Sequence, residues 1–184
     1  MPETALILID IQNDYFPGGS WEVDQMERVA ANAARLLQAA RARGDLVIHI
    51  RHEAGSATAP FFRPGTDGAK INAAVAPDPD EVVVLKHRPN SFHETDLLDR
   101  LRDAGVLKVT LCGAMSQMCV DATTRAAVDH GFKATVVADA CGAKAIAFGG
   151  VTVAAADVQA AFMAPLAMSY AKVVTTDEAL TVPA

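Results

Sequence analysis

Short apolar runs alternate with stretches of helical periodicity along nearly the whole chain. Thr4–Ile9 is apolar and closes on Asp10, the pattern of a strand buried on both faces. Met26, Val29, Ala33, Leu36, Leu37 and Ala40 recur at helical spacing, with Asp24 and Glu27 at the predicted start and Arg41, Arg43 and Gly44 at the stop. Leu46–Ile50 gives a second strand and Glu81–Leu85 a third, which ends at Lys86. A helix through Leu97, Leu98, Leu101 and Ala104 is capped by Thr95 and closed by Gly105. The strand Leu107–Cys112 leads through Gly113–Met118 into a helix from about Cys119 to His130. Lys133–Ala138 is the fifth strand, and a loop follows through Cys141–Gly150. A last helix spans Ala154–Ser169, where Pro165 predicts a kink, and Lys172–Thr175 closes the set. Six strands joined by helical crossovers predict an α/β fold, a doubly wound and mainly parallel six-stranded sheet with helices on both faces, forming one domain over residues 1–184.

The segment 53–80 breaks the alternation. It holds Pro60, Pro64, Pro77 and Pro79, several glycines and the pair Phe61–Phe62. A connection of this length inside a compact domain suits a lid or pocket wall, or else a surface excursion with a short helix near Gly68–Ala74. The pattern leaves both readings open.

Composition narrows the class. Half the residues are hydrophobic (51%) and 21% are charged, an ordinary globular balance. A formal net charge of −6, with no cluster of Lys and Arg, argues against a nucleic-acid binder. No apolar run reaches the ~18 residues of a membrane span, and Met1–Asp10 is too short for a signal peptide. The 3 cysteines do not make a disulfide framework and read as reduced thiols in a cytoplasmic protein.

Open parallel sheets bind ligands beyond the carboxyl ends of their strands. Asp10, Lys86 and the Gly113–Cys119 turn each lie just past such an end. A carboxylate, an ammonium and a thiol gathered on one edge form a nucleophilic site. Cys119, read as the start of a helix, gains stabilisation of its thiolate from free N–H groups and the helix dipole, and Lys86 would lower the thiol further. Asp10 would take the thiol proton and return it to a leaving amine. Backbone N–H groups of Met115 and Cys119 would hold the oxyanion, with Gly113 and Ala114 small enough to admit a carbonyl. Cys112, inside a strand, reads as a small buried hydrophobe. Alone, each of the three has a plainer reading as core, cap or solvated side chain. They carry weight as a set.

These segments resemble those of the isochorismatase-like cysteine hydrolases. Asp10-Ile11-Gln12-Asn13-Asp14-Tyr15-Phe16 is similar to the family's opening motif with its catalytic aspartate first, and Lys86-His87-Arg88-Pro89-Asn90-Ser91-Phe92 to its catalytic-lysine segment. Gly113-Ala114-Met115-Ser116-Gln117-Met118-Cys119-Val120 resembles the nucleophile segment, and Asp139-Ala140 the pair after the fifth strand. The resemblance implies an Asp–Lys–Cys triad, a Rossmann-like fold, homo-oligomers and a non-proline cis peptide between Ala114 and Met115. Nicotinamidases of that family carry an Asp-x-His metal motif after the second strand. Here His49-Ile50-Arg51-His52-Glu53 lacks the Asp, and two histidines three apart on a strand face opposite sides, so neither a metal nor another cofactor is expected. The Cys119–Ala127 stretch resembles the streptothricin-hydrolase-like and uncharacterised branch most.

The reading this supports is a cysteine hydrolase cleaving a C–N bond of a small amide, carbamoyl or ureido compound through a Cys119 thioester. The alternatives are a vinyl-ether hydrolase using Asp10 as acid, and a binding or redox thiol protein on the same scaffold. Gln12, Phe16, Trp21, Phe62, Phe92 and Ala114 are the candidate substrate contacts, and Arg51, His52 and Arg88 are possible binders of an anionic group. His87 should face away from Lys86. A small molecule is the expected partner, with neither nucleic acid nor membrane, and the Ala- and Met-rich stretch from Ala154 suits a subunit interface.

Overall fold

The computed structural model describes residues 3–181. Strands β1 (Thr4–Ile9), β2 (Leu46–His52), β3 (Val82–Lys86), β4 (Lys108–Ala114), β5 (Lys133–Gly142) and β8 (Ala171–Val174) form one sheet in the order β3-β2-β1-β4-β5-β8. Every neighbouring pair in it is parallel. The strand order reverses between β1 and β4, the switch point at which such sheets open a crevice.

Alternation along β1 shows why both faces need covering. Ala5, Ile7 and Ile9 point into one core with Ile48, Ile50, Leu101, Val120 and Leu166. Leu6 and Leu8 point into the other, with Val29, Ala33, Leu36, Leu37 and Ala40. Helices α2 (Leu97–Asp103), α3 (Asp121–Asp129) and α4 (Ala155–Ser169) close the first face, and α1 (Met26–Arg43) and α5 (Thr176–Thr181) the second. Helix α1 stops where expected: Gly44 adopts φ 73° and its N–H returns to the carbonyls of Ala40 and Arg41. Helix α4 runs on through Pro165 to Ser169.

Several elements differ from the sequence reading, among them β5, which runs on to Gly142, and α5, which that reading does not include. The expected Cys141–Gly150 loop and the three residues after it hold a hairpin, β6 (Ile146–Phe148) with β7 (Val151–Val153), turning at Gly149-Gly150. Its strands have 3 residues each and expose Ile146, Phe148 and Val151, so no amphipathic alternation marks them. The long connection carries a 3-10 turn, Ala73–Val75, where the surface-excursion reading places a short helix near Gly68–Ala74. It is sewn onto the segment after β1. Asn13 N–H donates to the Lys70 carbonyl, Asp14 N–H to that of Gly68, and Asn72 N–H to that of Ile11. The buried Asp14 carboxylate accepts the Phe62 N–H at 2.6 Å. The connection is thus hydrogen-bonded to the edge beyond β1 at Phe62, Gly68, Lys70 and Asn72.

Strand β4 passes β1 so closely that a Cβ on Gly113 would collide with the Ile9 carbonyl, and Gly113 holds φ 127°. Only glycine fits there. Gly113→Ala is expected to lower the unfolding free energy by about 3 kcal/mol or more, from backbone conformation and overlap together. Urea denaturation would read it.

Candidate active site

The carboxyl ends of β1, β3 and β4 bring Asp10, Lys86 and Cys119 together, as the strand-end reading expects. Asp10 takes φ 51°, a left-handed conformation that Asp accepts more readily than most side chains. Its N–H stays bonded to the Ile50 carbonyl at 3.1 Å while the carboxylate turns under the edge. Lys86 ends β3 directly opposite His52 on β2, so the two side chains leave the sheet on the same side. Asp10 and Lys86 are fully buried, and Cys119 is 3% exposed.

The Lys86 ammonium is the hub. Its Nζ lies 2.7 Å from Asp10 Oδ2 and 3.2 Å from Cys119 Sγ. It also lies 3.2 Å from His52 Nδ1 and 3.1 Å from the Arg88 carbonyl. Four acceptors thus surround three protons. The Asp10 contact is an ion pair off the ideal hydrogen-bond direction, and Oδ1 has no donor among the described residues. Ligand-type atoms of Asp10, His52 and Cys119 lie within 4.8 Å of one another, with the ammonium in reach of all three.

Electrostatics follows from this burial. Desolvation alone would lower the Lys86 ammonium, but Asp10 and Cys119 outweigh it and the net shift is upward. Burial, and then Asp10, push the Cys119 thiol up against the opposing pull of Lys86. This corrects the expectation of a depressed thiol. Cys119 does not begin a helix: it is the fourth residue of a π-helical turn, Ser116–Val120, that runs into α3, and it is walled off from water. Burial therefore favours the neutral thiol. Iodoacetamide labelling of Cys119 is accordingly expected to be slow at neutral pH and still rising above the ~8.5 of a free thiol, with no plateau below it. Peptide mass mapping across pH 5 to 10 would measure this. Cys112 is raised by burial as well, and Cys141, also buried, is pushed up to about 12.

The nucleophile turn is held from several sides. The peptide between Ala114 and Met115 is cis. The Met115 carbonyl accepts from the N–H of Met118 and of Val120, and Ser116 Oγ donates to the Gly142 carbonyl at 3.2 Å.

Several candidate contacts are placed elsewhere. Gln12 is fully buried and spends both amide protons on the carbonyls of His52 and Ala69, while its Oε1 accepts the His52 N–H. It braces β2 against the long connection and has no donor left for a substrate. Phe62 is completely buried against Tyr15, Phe61 and the His52 ring. Ala114 is equally buried, in the core beneath α1. Phe92 packs on His130 and Phe132, at the C-terminal end of α3. Trp21 remains partly exposed, stacked on Phe61 at 4.8 Å with the Lys144 ammonium over its face, and Phe16 is partly exposed too. His87 bonds the Glu53 carbonyl, away from the hub. His49 and His52 do face opposite sides: His49 meets Glu81 at 2.9 Å, and His52 meets Lys86.

A family model described as an isochorismatase domain matches residues 4–178. A solved isochorismatase-family structure from Oleispira antarctica superposes with a TM-score of 0.93 at 46% identity, covering 98% of this chain and 97% of that one. A streptothricin hydrolase of Streptomyces noursei is 39% identical over 76% of this chain, which spans 54% of that relative. A maleamate amidohydrolase of Pseudomonas putida is 32% identical over 75% of this chain and 71% of its own length.

Proposed function

The chain belongs to the isochorismatase family of hydrolases, and from that premise we propose that it is a cysteine amidohydrolase of small amide, carbamoyl or ureido compounds. The observation that carries this reading is the Lys86 ammonium, held 2.7 Å from the Asp10 carboxylate and 3.2 Å from the Cys119 sulfur at the sheet's switch point.

The steps follow from the ground state. Because the thiol is neutral, it must lose its proton as it attacks, and Asp10 is the buried base beside it. Sulfur bonds to the substrate carbonyl carbon and the proton passes to Asp10. The oxyanion is held by backbone N–H groups of Met115 and Cys119. Asp10 then gives the proton to the nitrogen as the C–N bond breaks, releasing ammonia or an amine and leaving a thioester on Cys119. Water attacks the thioester with Asp10 again as base, the acid departs, and the proton returns to sulfur. Lys86 keeps its charge throughout, stabilising first the Asp10 carboxylate and then the forming thiolate. Trp21 and Phe16 are the side chains of the candidate set with surface left to line the entrance.

Ammonia release across a panel of small primary amides, carbamoyl and ureido compounds, maleamate included, tests the reading. Turnover lost in both Cys119→Ala and Asp10→Asn supports it. No ammonia from any compound of the panel, with a vinyl ether cleaved by the wild type and by Cys119→Ala but not by Asp10→Asn, would replace it with acid-assisted vinyl-ether hydrolysis.

The expected homo-oligomer is part of the same reading. Its support is the apolar surface of Phe148, Val151 and Met168, which are 91%, 62% and 82% exposed. No helix among the described residues is long and apolar enough to cross a membrane.

A further inference from the structure

His52 belongs to the hub, yet the proton transfers above make no use of it. Its Nδ1 lies 3.2 Å from the Lys86 ammonium. An ammonium only donates, so Nδ1 must be the bare lone-pair nitrogen. A neutral imidazole carries one proton, which therefore resides on Nε2. Burial, and then the Lys86 charge, pull the His52 pKa down to about 4, so the ring is neutral across the physiological range.

The environment of Nε2 is different from that of its neighbours. No group among the described residues hydrogen-bonds it, and it is not among the buried polar atoms lacking a partner, so water still reaches it. The His52 side chain is 17% exposed, whereas those of Asp10 and Lys86 are at 0%. The ring cannot turn away easily. Its backbone N–H and carbonyl are both clamped by Gln12, and its ring lies tilted beside buried Phe62 at 5.8 Å. A donor thus stands beside the triad on the part of the His52 ring that water reaches.

We propose that His52 is a specificity determinant whose Nε2–H holds a second hydrogen-bond-accepting oxygen on the substrate, beyond the carbonyl that Cys119 attacks. The substrate class that fits is an amide bearing a further carbonyl or carboxylate oxygen close to the scissile group, as in a dicarboxylic acid monoamide. That class rests on the amidohydrolase reading, whereas the tautomer of His52 does not. A ring that accepts from Lys86 and donates outward transmits the ammonium's pull to the bound oxygen, and an amide without that second oxygen would leave the donor to water.

Two measurements test this separately. Nitrogen-15 NMR of the intact, histidine-labelled chain reads the tautomer: a pyridine-like Nδ1 with protonated Nε2 is expected. A proton on Nδ1, or a doubly protonated ring at pH 7, overturns the proposal whatever the enzyme hydrolyses. The second uses the panel amide turned over fastest and its isostere lacking the second oxygen, as maleamate is matched by isocrotonamide. In His52→Asn the side-chain oxygen can still accept from Lys86, but no donor reaches the position of Nε2. KM for the oxygen-bearing amide is expected to rise about tenfold with kcat little changed, the worth of one hydrogen bond, while the isostere is unaffected. An equal change for both amides, or a fall in kcat alone, would make His52 only a support for Lys86. Absence of turnover by any amide counts against the amidohydrolase reading and leaves the NMR result to decide the donor.

Discussion

Cys119→Ala is expected to cut amide turnover by about four orders of magnitude or more while leaving the fold intact. The chemistry admits no substitute nucleophile: Cys112 and Cys141 are buried elsewhere along the sheet, both raised by their surroundings. The structural cost is small. Only one sulfur atom is removed, and Lys86 keeps Asp10, His52 Nδ1 and the Arg88 carbonyl as acceptors. Asp10 also loses the neighbour whose thiolate it opposes. A change of about 1 kcal/mol or less in unfolding free energy is therefore expected, in the range of small buried deletions. Cys119→Ser should be nearly as inactive, because a hydroxyl is a weaker nucleophile that Asp10 would have to deprotonate from a higher pKa. Rapid-quench mass spectrometry of the wild type should reveal an acyl adduct on the Cys119 peptide, absent from both variants. Residual turnover above about a hundredth of wild type in Cys119→Ala would exclude a thioester route.

Much of this was legible from strand ends alone. A parallel sheet read from apolar runs, with Asp10, Lys86 and the Gly113–Cys119 turn at the carboxyl edge, is the arrangement found. What the pattern misjudged was burial around those residues. Placing Cys119 at an open helix start made its thiol acidic, whereas a π-helical turn sets it one turn in and beside a carboxylate, and desolvation reverses the shift. Gln12, Phe62 and Phe92 looked available because their positions near strand ends say nothing about which partners claim them. The folded chain commits Gln12 to three backbone groups. His52 had a usable signal, since residues opposite one another on adjacent parallel strands share a face, but the register of His52 with Lys86 exists only once β2 and β3 are paired. The hairpin β6–β7 left no trace because its side chains are exposed on both strands.

Lys86→Met is expected to be the most destabilising single change at the site, by about 3–5 kcal/mol, as well as abolishing turnover. Methionine fills much of the volume of the lysine stem, so packing is not the main loss. The loss is electrostatic. Asp10 is sealed from water, Oδ1 has no donor among the described residues, and Oδ2 has the Lys86 ammonium at 2.7 Å as its ion-pair partner. His52 is a poorer partner, because its Nδ1 is 3.9 Å from Oδ2 and burial, the largest influence on the ring, still opposes its charging. Removing the ammonium leaves an uncompensated buried carboxylate. A double-mutant cycle separates this from packing: Asp10→Asn in the Lys86→Met background should recover at least about 2 kcal/mol, since the group that needed the ammonium is then uncharged. Urea unfolding of the four proteins at pH 7 supplies the cycle. Additive losses would mean that the two charges do not depend on each other, and that Lys86 is retained for the chemistry of Cys119 alone.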